Sequence, residues 1–303
     1  MTEAGDVAET DPPTTDPEVT SNDESTEAIA DLPIVTSDAE LSFEEALDLS
    51  GRRGARLVLL MGESGTGKTT IIVELWTALV GSGPLQGFTC AGSRTAIPLE
   101  ERAFLSRMTA GVEIATTPRT KMDENEGLLH IRVARPDGQR VELLLADYAG
   151  ERFRHVREGT DLLTELPWVS RVDRVAVIVD GAHVAKGGTR ELEFNAATRY
   201  LFALRESGEF TRTSSLAIIL AKTDELTEFD LLQVQPRLDA LLEEARRVDP
   251  DARLIQVAAR PSDGSQPVGL DAVIEWLCSD SLPTERVLVP QPVSTRHIGR
   301  FSS

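Results

Sequence analysis

The sequence is poor in the features that mark secreted, membrane-spanning and metal-stabilised proteins. Its 303 residues include two cysteines, Cys90 and Cys278, which cannot build a disulfide framework and have no metal-binding spacing. No apolar run approaches the about 18 residues that a membrane helix needs, and the acidic N-terminus is unlike a secretory signal. These absences predict a cytoplasmic protein without a membrane span.

Basic residues are missing from the first part of the chain. Residues 1–51 hold 15 of the 50 acidic residues and no lysine or arginine, so most of the formal net charge of −19 belongs to this segment. The remainder is close to charge-balanced, which gives no electrostatic reason to expect nucleic-acid binding. Residues 1–40 also lack aromatic side chains and have few aliphatic ones, and they are predicted to form a disordered acidic leader.

Beyond the leader, short apolar runs alternate with helical periods. Strands are predicted at Arg56–Met61, Leu128–Ala134, Val141–Ala146, Arg174–Val179, Leu216–Leu220 and Leu254–Ala258. Helices are predicted at Leu41–Leu49, Thr69–Val80, Pro98–Met108, Glu191–Glu206, Leu231–Val248 and Leu270–Leu277. This alternation predicts an α/β fold with three layers, in which helices cover both faces of a six-stranded, mostly parallel sheet.

One strand of that sheet is predicted to be antiparallel. Only Arg135–Arg140 separates the second and third strands, and its Asp137-Gly138 pair favours a hairpin turn. So short a connection cannot make a parallel crossover. The predicted organisation is therefore the leader at 1–40, one domain at 41–282 and a mobile C-terminal tail at 283–303.

A phosphate-binding motif follows the first predicted strand. Residues 62–69 read GESGTGKT and lead into a predicted helix, which is the context that this motif requires. Glycines let the backbone wrap around phosphates, and the helix adds its N-terminal amides. Lys68 is predicted to contact the β- and γ-phosphates, and the Thr69 hydroxyl to coordinate Mg²⁺. The candidate phosphate-binding residues are Gly62, Glu63, Ser64, Gly65, Thr66, Gly67, Lys68, Thr69 and Thr70.

Two aspartates at strand ends compete for the role of a further metal ligand. Asp147 follows the third predicted strand within DYAGE, and Asp180 follows the fourth. Asp147 is preferred because Gly150 comes three residues later and can offer its backbone amide to a γ-phosphate without a side chain in the way. Asp180 has no glycine at that spacing.

The segment AKTDEL after the fifth predicted strand indicates a reader of guanine. The stem of Lys222 is predicted to cover the face of the base, and Asp224 to accept hydrogen bonds from the N1 and N2 donors. Adenine has no donor at N1, so this carboxylate would be left unpaired. Ala258 and Ala259, after the sixth strand, are small enough to let a backbone amide approach the base oxygen.

The chain contains the motifs GESGTGKT, DYAGE, AKTD and VAAR in this order. With them it resembles the Ras-like branch of P-loop GTPases, the TRAFAC class, over about residues 55–280. GFTCAGSRT at 87–95 and TPRT at 117–120 resemble more narrowly the stand-alone bacterial double-GTPase domains, which occur in multi-gene systems with partner proteins. The resemblance implies GTP or GDP and Mg²⁺ as ligands, and a second switch at 147–151. It also implies a first-switch threonine that binds Mg²⁺ and the γ-phosphate; among Thr116, Thr117 and Thr120, we choose Thr120 because it lies closest to the second strand.

Three features depart from the Ras-like pattern. Glu151 stands where a water-orienting glutamine is common; its carboxylate can accept from water but brings negative charge near the γ-phosphate. Ala221 replaces the asparagine or threonine that ties the guanine loop to the phosphate loop. The connection from Gly81 to Gly127 is long for a first switch, and connections of this length are usually functional or mobile.

The sequence thus predicts a guanine-nucleotide switch that hydrolyses GTP slowly, at about 10⁻³ per second or less. Its expected partners are protein effectors or companion proteins of a multi-gene system, and a nucleotide-dependent dimer is a further expectation. Deleting the leader is expected to leave GTP affinity nearly unchanged, since charges beyond about 8 Å are screened at physiological salt. The predicted catalytic residues are Lys68, Thr120, Gly150 and Glu151, and the predicted metal ligands are Thr69, Asp147 and Thr120.

Two alternatives stay open at this point. The first is a nucleotide-binding regulatory module with little or no hydrolysis, which Glu151 favours. The second is a P-loop ATPase that uses Asp147 or Asp180 as its metal ligand. An arginine finger in cis has three candidates, Arg119, Arg152 and Arg154.

Overall fold

A computed structural model of the chain describes residues 38–81, 85–109, 127–159, 161–166, 168–208, 210 and 214–280. Most of the predicted leader and the whole predicted tail lie outside these residues. So do the three candidate first-switch threonines and Arg119. No helix among the described residues combines the length and the apolar character that crossing a bilayer requires.

The described residues form seven strands and a set of helices between them. The strands are β1 (Arg56–Met61), β2 (Thr89–Gly92), β3 (Leu128–Ala134), β4 (Arg140–Ala146), β5 (Arg174–Asp180), β6 (Ser215–Ala221) and β7 (Arg253–Val257). The helices are α1 (Phe43–Arg53), α2 (Lys68–Val80), α3 (Ala96–Thr109), α4 (Gly150–Arg157), α5 (Leu162–Glu165), α6 (Gly181–Ala185), α7 (Gly187–Ser207), α8 (Glu228–Arg246) and α9 (Leu270–Cys278).

All seven strands join one sheet in the order β2-β3-β4-β1-β5-β6-β7. β3 is antiparallel to β2 and to β4, and the remaining neighbours are parallel. β3 is therefore the one strand of this sheet that runs against the others, as its short connection to β4 predicts. The α/β fold class is confirmed, with one strand more than predicted, because the edge strand β2 lies within the long connection before β3.

The predicted strands agree closely with the structure, whereas the ends of the predicted helices differ from it by up to four residues. Each of the six predicted strands has the observed bounds to within one residue, and the helix predicted inside the long connection is α3. The prediction omitted four short elements: β2, α4, α5 and α6. Short elements carry too few turns or alternations to show a period, so their apolar pattern cannot identify them.

Two apolar layers explain why the central strands read as continuous apolar runs. Leu57, Leu59 and Met61 of β1 pack in the layer under α1, α4, α7 and α8. Val58 and Leu60 point the other way, into the layer under α2, α3 and α9. Since helices cover both faces, neither set of alternating side chains in β1 is left to solvent.

The parallel strands bring their carboxyl ends to one edge of the sheet. Gly62 follows β1, Asp147 follows β4, Asp180 ends β5, Lys222 follows β6 and Ala258 follows β7. Residues that are up to about 200 positions apart in the sequence therefore meet along this edge. In open α/β sheets this is the edge at which ligands bind.

Residues on both sides of the domain boundary predicted at residue 41 make contacts with the body. Leu41 pairs with Leu128 through two backbone hydrogen bonds of 3.0 and 2.8 Å. Glu40, the last residue assigned to the leader, accepts a 3.0 Å hydrogen bond from the Gly127 amide and forms an ion pair with Arg102. Glu40 is therefore part of the contacts of the body.

Candidate nucleotide-binding site

The loop between β1 and α2 has the conformation of a phosphate cradle. Gly65 and Gly67 have left-handed backbones, with φ of +84° and +98°, which glycine adopts without strain. The Thr66 hydroxyl donates to the Glu63 carbonyl at 3.0 Å and closes the turn. Gly67 precedes α2 and provides no capping side chain, so the first-turn amides can bind an anion.

Lys68 lies almost fully buried beneath this loop, with 6% of its surface exposed. Its Nζ donates to the carbonyls of Gly62 at 2.8 Å and Glu63 at 2.9 Å, and lies 5.6 Å from the ring centre of Phe153. Burial lowers the pKa of Lys68 to about 8, against the opposing charges of nearby carboxylates, Asp147 first among them. A bound phosphate would supply a further negative charge next to this ammonium group.

Asp147 and Thr69 meet beside the loop. The Thr69 hydroxyl donates to Asp147 Oδ1 at 2.9 Å, and 4% of Asp147 is exposed. Burial raises the pKa of Asp147, while Arg102 and the hydrogen bond from Thr69 oppose that rise. A hydroxyl and a carboxylate in this arrangement suit Mg²⁺, which binds one or two protein oxygens and takes the rest from phosphate and water. No cluster of three or more potential metal-ligating side chains occurs in the described part of the chain.

Asp180, the competing aspartate, is engaged elsewhere. Its Oδ2 lies 2.7 Å from Lys222 Nζ, and its Oδ1 accepts from the Ala182 amide at 2.9 Å. The Glu193 carboxylate accepts a 2.8 Å hydrogen bond from the Asp180 amide. The structure therefore places Asp147 against Thr69 and places Asp180 against the predicted guanine loop.

Lys222 joins the guanine loop to the phosphate loop. Its Nζ donates to the Gly65 carbonyl at 2.8 Å as well as to Asp180, and its backbone is left-handed with a φ of +54°. A left-handed lysine costs energy, and such strain persists where surrounding contacts enforce it. The tie expected to be lost with Ala221 is thus made by the neighbouring side chain.

Asp224, after β6, contacts the loop that follows β7 and begins with the two alanines. Asp224 is exposed, and its Oδ2 accepts from the Ser262 amide at 3.0 Å. The amide of Ala258 donates to the Val268 carbonyl at 3.0 Å and is used within the fold, whereas Ala259 lies one residue nearer to Ser262. The Asp224 contact holds the loop after β7 next to the guanine loop.

The predicted second switch contacts the phosphate loop at two points. Gly150, the first residue of α4, packs so closely on Glu63 and Ser64 that an added Cβ would overlap the backbone of both. The Glu63 carboxylate pairs with Arg157 of α4 at 3.0 Å and accepts from the Tyr200 hydroxyl at 2.8 Å. The acidic side chain of the loop is thereby turned toward α4 and α7, a role that the sequence pattern does not reveal.

Of the predicted finger candidates, Arg152 and Arg154 are among the described residues. Arg152 stacks 5.2 Å from the centre of the Tyr148 ring and donates to the Glu165 carbonyl at 3.1 Å, and Arg154 is exposed. Arg102 of α3, which sequence reasoning missed, has its Nε 3.8 Å from Asp147 Oδ2. No motif or spacing links an arginine at 102 with an aspartate at 147, and only the helical pattern around it indicates an ordered element.

Together, the phosphate loop, the metal-type carboxylate and the guanine-type loop on one sheet edge define a P-loop nucleotide-binding protein. The chain matches the Double-GTPase 2 family over residues 56–277, which is most of its length. The chain belongs to this family and is a P-loop GTPase of the double-GTPase type. A search of curated proteins finds no significant match.

Among solved structures, the chain is similar to three GTPase-type proteins at low identity. The complex of the signal recognition particle receptor SRb-GTP with SRX from Chaetomium thermophilum has 18% identity and a TM-score of 0.43, covering 74% of this chain and 97% of that one. Bacterial elongation factor EF-Sec has 16% identity and a TM-score of 0.37, covering 73% and 28%. Elongation factor SelB from Methanococcus maripaludis has 11% identity and a TM-score of 0.37, covering 74% and 33%. The chain thus spans a third or less of the two elongation factors.

Proposed function

We propose that the protein is a guanine-nucleotide switch that binds GTP with Mg²⁺, hydrolyses it slowly and controls companion proteins through its two nucleotide states. The observation that carries this proposal is the contact of Lys222 with both Gly65 and Asp180, because it joins a phosphate loop and a guanine-type loop into one site. Membership of the Double-GTPase 2 family supports the choice of GTP.

At the phosphate end, Lys68 and the amides of the loop would hold the β- and γ-phosphates. Thr69 and Asp147 would hold Mg²⁺, together with Thr120, which lies outside the described residues. The ion would neutralise charge that develops on the transferred phosphoryl group. Lys68 adds a buried positive charge that needs no rearrangement during the reaction, which is the form of electrostatic stabilisation that contributes most.

At the base end, Lys222 would cover one face of guanine and Asp224 would accept from its N1 and N2 donors. We assign the backbone amide that approaches the base oxygen to Ala259 instead of Ala258, because the Ala258 amide already donates to Val268. The Ser262 amide donates to one oxygen of Asp224 and would hold the carboxylate in place for the base.

Slow hydrolysis is proposed because the second switch has no glutamine to orient water. Glu151 occupies that position in α4, and its charge already acts on buried Lys68. A carboxylate there can accept a hydrogen bond from water but repels the γ-phosphate, so an intrinsic rate of about 10⁻³ per second or less is expected. A regulatory module that binds GTP without hydrolysing it is the second candidate, and the same Glu151 favours it.

The contact between α4 and the phosphate loop supports the switching part of the proposal. A γ-phosphate in the loop would lie next to Gly150, which packs directly on Glu63 and Ser64. Binding of GTP would then reposition Gly150 and change the Arg157–Glu63 ion pair on the same helix. Partners that read α4 would distinguish the GTP from the GDP state. A cytoplasmic location and a nucleotide-dependent dimer stay predictions from the sequence and the resemblance.

Two measurements on the full-length protein test the proposal. Nucleotide extracted from the purified protein is expected to be GDP or GTP; adenine nucleotide in its place would overturn the guanine assignment. In a single-turnover assay with Mg²⁺, phosphate release from GTP is expected at about 10⁻³ per second, with no release from ATP. Tight GTP binding without release over many hours would favour the regulatory module.

A further inference from the structure

A chain of polar contacts outside the GTPase motifs reaches the proposed metal ligand Asp147. Arg102 on α3 places Nε 3.8 Å from Asp147 Oδ2 and forms an ion pair with Glu40 through Nη2. The other carboxylate oxygen of Glu40 accepts from the Gly127 amide at 3.0 Å. The contacts therefore run from Gly127, at the end of the long first-switch connection, through Glu40 and Arg102 to Asp147.

The surroundings of this chain make the charges strong. The side chains of Asp147, Arg102 and Glu40 are 2%, 23% and 28% exposed, so water screens them only in part. Glu40 also lies so close to Gly127 that an added Cβ would overlap its side chain. Glu40 is thus seated against the body, and Arg102 lies between two carboxylates that compete for its charge.

We propose that Arg102 is a further residue of the nucleotide site, which holds the charge of Asp147 in the absence of Mg²⁺ and competes with the ion for that carboxylate. Glu40 favours the ion in this competition, because it draws the guanidinium of Arg102 away from Asp147. The inference rests on the proposed function, since it assumes that Asp147 serves a Mg²⁺–nucleotide complex. Through Glu40, the segment just before α1 would then influence the affinity of the site for Mg²⁺.

The physical reason is repulsion between like charges. A guanidinium and a divalent ion that share one buried carboxylate at about 4 Å repel each other strongly in the low dielectric of the site. Entry of Mg²⁺ must therefore release Arg102 from Asp147, and Glu40 is the carboxylate in position to receive it. Loss of Arg102 and loss of Glu40 are consequently expected to change Mg²⁺ affinity in opposite directions.

The test measures release of a fluorescent GDP analogue from the full-length protein across a series of buffered free Mg²⁺ concentrations. Arg102→Gln is expected to lower the Mg²⁺ concentration that half-suppresses release, by about threefold to tenfold, because the competing charge is gone. Glu40→Gln is expected to raise it by a similar factor. Arg107→Gln is the matched control: Arg107 lies on the same helix, is exposed and pairs with Glu100 at 3.9 Å, so no shift is expected.

Thermal unfolding provides a second measurement that a purely structural role would not reproduce. Without nucleotide, Arg102→Gln is expected to lower Tm, because buried Asp147 loses one of the positive charges that act on it. With saturating Mg²⁺ and GDP the difference from wild type is expected to shrink, because the ion takes over that charge. An equal loss of Tm in both states would overturn the proposal.

Other outcomes separate this proposal from the proposed function. If Arg102→Gln raises the Mg²⁺ requirement, or if neither variant changes it, the competition does not exist. If Arg102→Gln does not fold, Glu40→Gln carries the test, together with Arg102→Lys, which keeps the charge and is expected to stay within about twofold of wild type. If wild type fails to bind GDP at all, it is the proposed function that falls.

Discussion

The two ends of the candidate site differ in how deeply their residues are buried and in whether backbone or side chains form them. At the phosphate end, Lys68 and Asp147 are almost fully buried, and Lys68 contacts backbone carbonyls of its own loop. At the base end, Asp224 is exposed, and more than a third of the Lys222 side chain is exposed. The proposed phosphate recognition would therefore depend on a buried backbone shape, whereas the proposed base recognition would depend on a few accessible side chains.

This difference determines which substitutions each end can accept. The phosphate loop needs glycine at positions 65 and 67, where the backbone is left-handed. The base end has Ala221 in place of a side chain that would tie the two loops, and Lys222 makes the tie through its contact with Gly65. Side-chain contacts can be redistributed in this way, but a backbone cradle cannot.

The strongest test of the phosphate end removes its buried charge. Lys68→Ala is expected to reduce single-turnover GTP hydrolysis by about a thousandfold, because it deletes the only lysine of the phosphate loop. The measurement is phosphate release, with Lys186→Ala as a control at an exposed lysine. Undiminished turnover in Lys68→Ala would show that this loop is not the active site.

A methyl group at Gly150 tests the contact between the second switch and the loop. In Gly150→Ala the added Cβ would overlap the backbone of Ser64, so α4 must move off the loop. We expect GTP turnover to fall by about a hundredfold, since misplacement of about 1 Å has that effect, while GDP affinity changes little. Gly188→Ala, where a Cβ meets open space, is the control. Wild-type turnover in Gly150→Ala would contradict a role for this contact.

The base end is tested by replacing the carboxylate of Asp224 with a carboxamide. Asp224→Asn is expected to weaken GTP binding by about 10- to 100-fold and to reduce the preference over ATP, because the amide cannot accept from both guanine donors. Competition binding with GTP and ATP measures this, and Glu225→Gln provides an exposed neighbouring control. If the preference does not change, Asp224 does not read the base.

How much the sequence predicts also differs between the two ends. The position and backbone shape of the phosphate loop were predictable, because contiguous residues with fixed spacing between a strand and a helix define its shape. Asp147 was preferred over Asp180 from the position of Gly150, and the structure places Asp147 next to Thr69. The central strands β1, β4, β5 and β6 were predictable because burial on both faces leaves an apolar run.

Contacts between distant elements were not predictable. The ion pair of Glu63 with Arg157 and the proximity of Arg102 to Asp147 depend on how helices pack on the sheet. The local periodicity of apolar residues in the sequence does not show how the helices pack. The same limit explains Ala221, where the sequence showed a missing tie, and only the geometry showed that Lys222 supplies one.

Ligand binding at the phosphate end is expected to depend on pH more strongly than ligand binding at the base end. The pKa of Lys68 is lowered by burial to about 8, so the ammonium loses its proton as pH rises through that value. Phosphate favours the charged form, and GDP affinity is therefore expected to fall by about fourfold from pH 7 to pH 8.5. Guanosine, which has no phosphate, is expected to change by less than twofold. Calorimetry in two buffers should detect proton uptake with GDP; none near pH 8 would contradict the lowered pKa.

The smallest expected effect concerns the acidic leader, which should matter to neither end except through Glu40. Deleting residues 1–37 is expected to leave GDP affinity and the Mg²⁺ requirement within about twofold of wild type at physiological salt, because distant charges are screened. Deleting residues 1–40 removes the partner of Arg102 and is expected to raise the Mg²⁺ requirement by about threefold to tenfold, as in Glu40→Gln. Identical behaviour of the two truncations would separate Glu40 from the site, and a large loss of affinity on removing 1–37 alone would make the leader a part of nucleotide binding.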